Sequence, residues 1–369
     1  MENNQFDNSR IDYIEIYVPM AKPLAYWHMK ALGFSISAYA GIETGKPGYA
    51  SYLLTSGRIA LVLTAGYPIN SGGAPGDVSS FTTFNSCGVK RIAFRVDSVK
   101  EAFDLSIQNG AVPVRFPTII EDEAGQIEEA AIKLYDNSEI LFINRDNYNG
   151  IFRPGYKMFV SDTNGHQPFF HSVDHIASEL RINEVDQWTQ YLSKTLNTAL
   201  IQHVGKSEDN RTGMRMNISQ TPDKENIFVM TESEGHNLSS RVQQSIEKFG
   251  PGIHHIAFST DDIIGTIKEL RSRSVDLVTF PSAYYDLLRS NKDLEGTSID
   301  IDTLQEQGIL IDKEGDSYLL QKFLKPMGDR PYFFYEIIQR VNGYNGFALN
   351  NIVALRKAEE IQITQVAQA

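Results

Sequence analysis

The sequence predicts an α+β fold made of two tandem copies of one domain, each assembled from paired β-α-β-β-β units that form an open barrel. Three matched pairs of segments carry this reading. Gly88–Asp97 closely resembles Gly252–Asp261. Ile11–Val18 lines up with Val173–Leu180, and Ile140–Arg145 with Tyr335–Arg340. One pair of short apolar strands would mean little. Three pairs recurring in one order mark a duplicated architecture.

Each element has a local reason. The Ile11 and Val173 segments are short strand-type apolar runs, and each leads into a helical stretch carrying a tryptophan, Trp27 or Trp188. Asn70 to Asn85 is rich in Gly, Ser, Pro and Thr and reads as a mobile surface loop. The Gly88 and Gly252 strands run into helical stretches, Ser98 to Asn109 and Asp262 to Ser272, with apolar residues three and four apart. A second strand with a Phe-Pro pair follows in each half, Phe116-Pro117 and Phe280-Pro281. Between Asp146 and His171 lie Asn149-Gly150, Arg153-Pro154-Gly155 and Asn164-Gly165, turn formers without periodicity. The expected division is therefore an N-terminal domain over 1–150, a linker over 151–170 and a C-terminal domain over 171–369. Asn350 to Gln365 reads as a final helix.

Composition narrows the function. Lys and Arg number 34 against 46 Asp and Glu, a net charge of −12, and phosphate binding needs clustered cations. Nucleic acid and anionic membrane are thus excluded as main partners. No apolar run approaches the ~20 residues that span a bilayer, and no secretory segment opens the chain, so a cytoplasmic location is expected. Cys87 is the single cysteine, which excludes a disulfide framework and reads as a buried thiol. Glycine-rich phosphate loops and nucleophile elbows are absent. Glu128-Glu129 and Glu359-Glu360 read as solvated faces.

The two halves differ where it matters. At three matched positions the second half carries His175, His255 and Glu336, and the first carries Tyr13, Arg91 and Leu141. Two imidazoles and one carboxylate on three strands are the ligand set of a facial triad, which holds Fe(II) and leaves positions open. Arg91 repels a cation and Leu141 has no lone pair, so the second half is the metal half and the first is metal-free. Strand neighbours point to opposite faces, so His255 rather than His254 is expected to face the interior. His171, four residues before His175, lies in a strand context and reads as a neighbour. His28, His166, His203 and His236 have no partners in sequence and read as packing or surface residues.

Further motifs carry a family resemblance. They are Gly41-Ile-Glu-Thr-Gly45, Ser56–Thr64, Phe152-Arg-Pro-Gly-Tyr156, Tyr284-Tyr285, Tyr318–Pro326 and Gly328-Asp-Arg-Pro331 followed by Phe333–Arg340. Over nearly its whole length the chain resembles the 4-hydroxyphenylpyruvate dioxygenase family, including its hydroxymandelate synthase branch, within the vicinal-oxygen-chelate superfamily. The resemblance implies two tandem vicinal-oxygen-chelate domains, with the iron ligands falling on His175, His255 and Glu336. It puts substrate-binding positions on Gln321, Phe323, Phe334, Phe347 and Ile352, and a closing carboxy-terminal helix on Gly346–Ile352.

Several pocket positions depart from the family pattern. His254 replaces a glutamine, Thr231 an asparagine, Arg241 a glutamine and Ile352 a phenylalanine. The resemblance implies Fe(II) as cofactor, O2 as co-substrate, a small aryl 2-oxo acid as substrate, and a homodimer or homotetramer. The favoured reaction is oxidative decarboxylation of 4-hydroxyphenylpyruvate to homogentisate. Benzylic hydroxylation of the hydroxymandelate synthase type is the alternative. An extradiol-type dioxygenase or a non-catalytic ligand-binding member of the superfamily are the readings from other classes.

Overall fold

The computed structural model describes residues 6, 10–67, 76–159, 168–205, 213–235, 240–291, 294, 299–348, 350, 351 and 354. The first half runs β1 (Arg10–Tyr17), α1 (Ala21–Leu32), β2 (Ser35–Ala40), β3 (Tyr49–Ser56) and β4 (Ile59–Gly66). It continues with α2 (Gly76–Asn85), β5 (Gly88–Arg95), α3 (Val99–Gln108), β6 (Pro113–Asp122), β7 (Gly125–Leu134), β8 (Ser138–Asn144) and β9 (Lys157–Met158). The second half starts β10 (Val173–Leu180), α4 (Val185–Leu196), β11 (Ala199–Val204), β12 (Met214–Gln220), β13 (Ile227–Ser233) and α5 (Arg241–Phe249). It ends β14 (Gly252–Ser259), α6 (Ile263–Ser272), α7 (Ser282–Arg289), α8 (Ile301–Gln307), β15 (Leu310–Glu314), β16 (Ser317–Phe323) and β17 (Phe334–Val341).

Each half builds one curled sheet, giving a two-domain α+β architecture. The first sheet has the order β6-β7-β8-β5-β1-β4-β3-β2-β9, and the second β11-β12-β13-β10-β14-β17-β16-β15. The repeat is visible in the pairing register. Tyr13 faces Ala93 across β1 and β5, as His175 faces Ala257 across β10 and β14. Ala93 then faces Leu141, as Ala257 faces Glu336. Even the irregularities recur: a register shift falls between Ile11 and Tyr13, and another between Val173 and His175.

Caps fix the helix starts that the sequence suggests. Ser98 accepts from the Glu101 N–H, and Asp262 from the Gly265 N–H. The outer faces of the two sheets share a core with the helices. Phe34 and Phe170 pack against Phe258, which packs against Tyr335 with ring centroids 4.8 Å apart. His28 on α1 reaches the Tyr335 hydroxyl at 2.9 Å, and Trp188 on α4 packs on Tyr135. Burying each such ring contributes about 1.5–3 kcal/mol, so this cluster joins the halves.

Three expectations are corrected. The stretch read as a loop over Asn70 to Asn85 holds α2 in its second part. Val78 and Phe81 are buried with Tyr17, so tertiary packing overrides a composition poor in helix formers. The Phe280-Pro281 pair does not lie in a strand. Pro281 caps α7, which buries Tyr284, Tyr285 and Leu288, and Leu277 makes only an isolated bridge to Leu324. Glu129 is buried rather than solvated, because Arg153 (2.6 Å) and Arg115 pair with its carboxylate. Cys87 is buried, as expected.

Glu359, Glu360, Ile352, His166 and His236 lie outside the described residues, as does most of the expected final helix. No helix among the described residues is long and apolar enough to cross a membrane.

Candidate metal centre

His175, His255 and Glu336 come from β10, β14 and β17, neighbours in the second sheet. The register brings them to one face. His175 and Glu336 flank Ala257 directly, and His255 sits two residues before Ala257 on the same strand. His175 Nε2 lies 3.3 Å from His255 Nε2 and 3.3 Å from Glu336 Oε2, and the remaining pair is 3.1 Å apart. Two bonds of ~2.1 Å meeting at a right angle put their donor atoms ~3.0 Å apart, so one ion can be bound by all three. Two imidazoles and one carboxylate suit Fe(II) in particular.

The field at the site favours a cation. Burial pushes the Glu336 carboxyl up, but hydrogen bonds from His175 and His255 outweigh this and hold it at about 2. Burial alone would lower His175; hydrogen bonds to Asp174 and Glu336 raise it to about 9. His255 is lowered by burial, partly offset by Glu336.

A second layer holds His175. The register shift before His175 turns Asp174 out of alternation, so its Oδ1 reaches His175 Nδ1 at 2.9 Å. Arg340 grips that carboxylate with two nitrogens, at 2.7 and 2.8 Å. Burial would raise Asp174, yet Arg340 and His175 keep it well below the usual carboxylate range. Arg340 also donates to the carbonyls of Tyr344 and Gly346 and lies over the Phe347 ring. One guanidinium therefore couples the ligand's support to the segment that covers the site. The matched pair Asp12 and Arg145 repeats this arrangement in the first half.

The triad sits in a cavity of about 230 Å³. Its wall includes Thr231, His254, Gln321, Phe323 and Phe347 of the positions expected to bind substrate. Phe334 stacks on His255 with ring centroids 5.0 Å apart. Arg241 is exposed on the first turn of α5, whereas its neighbour Val242 lines the cavity. His254 corrects the argument from strand alternation. A register shift beside Ala177 pairs His255 with Ala177 and Ile253 with Ser178, so His254 is an extra residue and both histidines reach the cavity. His254 Nδ1 lies 2.9 Å from His255 Nδ1, and burial lowers His254 to about 4. His171 pairs with exposed Asp261, away from the triad.

The sequence reading missed Glu179, Met216 and Val229 in the cavity wall. Counting by twos from His175 would have reached Ala177 and Glu179.

In the first half the matched positions hold no ligand set. Tyr13 accepts from Arg153 at 2.5 Å, and Arg91 pairs with Glu15 and Glu139 at 2.6 and 2.8 Å. Guanidinium groups occupy the ground where a cation would bind.

Residues 172–300 match the family model described as the Glyoxalase/Bleomycin resistance protein/Dioxygenase superfamily. The chain is 31% identical over 363 residues to the 4-hydroxyphenylpyruvate dioxygenase of Tetrahymena thermophila, covering 95% of this chain and 89% of the relative. It is 31% identical over 361 residues to that of Dictyostelium discoideum, covering 95% and 97%. The chain belongs to the 4-hydroxyphenylpyruvate dioxygenase family. Among solved structures, a triple mutant of 4-hydroxymandelate synthase from Streptomyces coelicolor matches with TM-score 0.81 and 25% identity, covering 96% of this chain and 98% of that one. In this member of the 4-hydroxyphenylpyruvate dioxygenase family the donor atoms of His175, His255 and Glu336 all lie within 4.8 Å of one another.

Proposed function

We propose that the protein is a non-haem Fe(II) dioxygenase that oxidatively decarboxylates 4-hydroxyphenylpyruvate, or a close aryl 2-oxo acid, with O2 as co-substrate. One observation carries the reading: three donors 3.1–3.3 Å apart converge in a cavity walled by Phe323, Phe347, Met216 and Val229. When bound, Fe(II) supplies a Lewis acid for the 2-oxo acid oxygens and the electrons that activate O2.

The chain's own residues do the rest. Asp174 fixes the His175 tautomer so that Nε2 faces the ion, and Glu336 supplies the anionic ligand. Gln321, buried in the wall, is placed to hydrogen-bond a polar substrate group. Phe323, Phe334 and Phe347 flank the ligands and exclude water, fixing which carbon of the substrate is oxidised.

Homogentisate is the product we assign. Hydroxymandelate is the second reading, favoured by the fold match to 4-hydroxymandelate synthase and by aliphatic Ile352 at a phenylalanine position. Chromatography of the products from 4-hydroxyphenylpyruvate decides. Homogentisate is expected from the wild type and in higher proportion from Ile352→Phe. Hydroxymandelate alone from the wild type would reverse the assignment.

We further assign a metal-free domain to 1–150, a linker to 151–170 and the catalytic domain to 171–369, each domain a pair of β-α-β-β-β units closing an open barrel. The two separate sheets support the division, and β9 (Lys157–Met158) extends the first of them into the linker. The assembly is a homodimer or homotetramer in the cytoplasm, without nucleic acid or membrane partners. The net charge of −12 and the single buried cysteine support that setting.

A further inference from the structure

The cavity ends in a carboxylate that the metal centre does not use. Glu179 is four residues beyond His175 on β10, so its side chain shares the cavity face, with the two Cα atoms about 13 Å apart at ~3.3 Å per residue. Gln321 lies beyond the triad on the opposite side, since β16 pairs it with Ile338 and not with Glu336. Glu179 therefore stands at the end remote from Gln321.

Its exposure is only 7%, yet neither carboxylate oxygen has a proper donor. Oε1 is 3.6 Å from His254 Nε2, beyond hydrogen-bonding distance, and no described group donates to Oε2. Thr231, its lateral neighbour in the sheet, spends its hydroxyl on the Ser178 carbonyl. Among the described residues lining the cavity none is Lys or Arg. A buried carboxylate without donors or a counter-ion is costly, and a ligand that donates to it recovers that cost.

We infer that Glu179 is the acceptor for the remote end of the substrate, so that the site selects aryl 2-oxo acids whose para substituent donates a hydrogen bond. This rests on the proposed 2-oxo acid reaction and adds the residue that reads the ring. An aryl pyruvate spans roughly 8–9 Å from carboxylate to para atom by ordinary bond lengths. Side chains reaching inward from positions 175 and 179 can hold both ends of it. A para hydroxyl or amino group satisfies Glu179. A para hydrogen leaves it bare, and a methoxy group presents only an acceptor to it.

The test compares phenylpyruvate and its 4-hydroxy, 4-amino and 4-methoxy derivatives on iron-loaded wild type, Glu179→Gln and Glu179→Leu. It reads kcat/KM in air and Kd under anaerobic conditions, with iron content as the folding control. The wild type is expected to favour the two donors over the other two acids by about 10–100-fold, the range for losing a hydrogen bond to a charged group. Glu179→Leu should bring the 4-hydroxy to unsubstituted ratio to within about threefold of unity. Glu179→Gln, whose amide can donate, should raise the 4-methoxy to 4-hydroxy ratio at least about tenfold, and it decides the matter if the leucine variant does not fold. Wild-type ratios preserved in the variants overturn the role of Glu179 and leave the proposed reaction standing. Iron-loaded wild type that neither binds nor turns over any of the four acids overturns the reaction and this inference together.

Discussion

A strand histidine holds a metal well only when its second nitrogen is fixed, and Asp174 does this for His175 at 2.9 Å. Asp174→Asn should keep the fold and the three ligands while lowering iron affinity about 10–100-fold, the usual cost of a lost supporting carboxylate. Anaerobic iron titration measures it, and an unchanged affinity would show that Asp174 is merely structural. The ligands themselves were legible because the repeat sets His175, His255 and Glu336 against Tyr13, Arg91 and Leu141. The same contrast hid Asp174 and Arg340. The first half carries Asp12 and Arg145 at the matching places, so nothing there differs. Glu179 escaped for another reason: its significance is the lack of donors around it, which depends on strands β12, β13 and β14 far away in sequence.

At the scale of elements, the strand runs and capped helices followed from periodicity and from Ser98 and Asp262. The register shifts did not. A one-residue insertion relative to the neighbouring strand appears only once pairing is known, and the shift beside Ala177 is what delivers both His254 and His255 to the cavity. The α2 and α7 helices were illegible because side chains distant in sequence decide them. Phe81 packs edge-on against Tyr17, and Tyr284 donates to Asn351, whose neighbour Asn350 bonds Asp312. These contacts tether the start of the final segment beside the centre.

At the scale of the molecule, the halves are joined through buried groups, and one of them is sensitive to acid. His28 Nδ1 donates to the Leu24 carbonyl, so its Nε2 accepts from the Tyr335 hydroxyl. Burial lowers its pKa from 6.5 to about 4. Between those values the unfolded chain takes up a proton that the folded chain refuses. The neutral ring's contribution is therefore complete above about pH 6.5 and is lost as pH falls towards 4, by up to about 3 kcal/mol. Urea unfolding of wild type and His28→Phe should diverge in slope across this window, the wild type losing more, and parallel profiles would contradict the assignment. In the first half, Arg91 and Arg153 fill the matched ground with ion pairs. His175, His255 and Glu336 form one centre for Fe(II) in a 2-oxo acid dioxygenase. The most direct measurement is iron stoichiometry of anaerobically loaded wild type, the three single alanine variants and His254→Ala, followed by O2 uptake and CO2 release with 4-hydroxyphenylpyruvate. One iron per chain in the wild type and in His254→Ala is expected, with equal O2 consumed and CO2 released by the wild type, and loss of iron or of turnover in each triad variant. Full iron content and coupled turnover in any triad variant, or iron lost from His254→Ala while His255 is intact, would contradict the account.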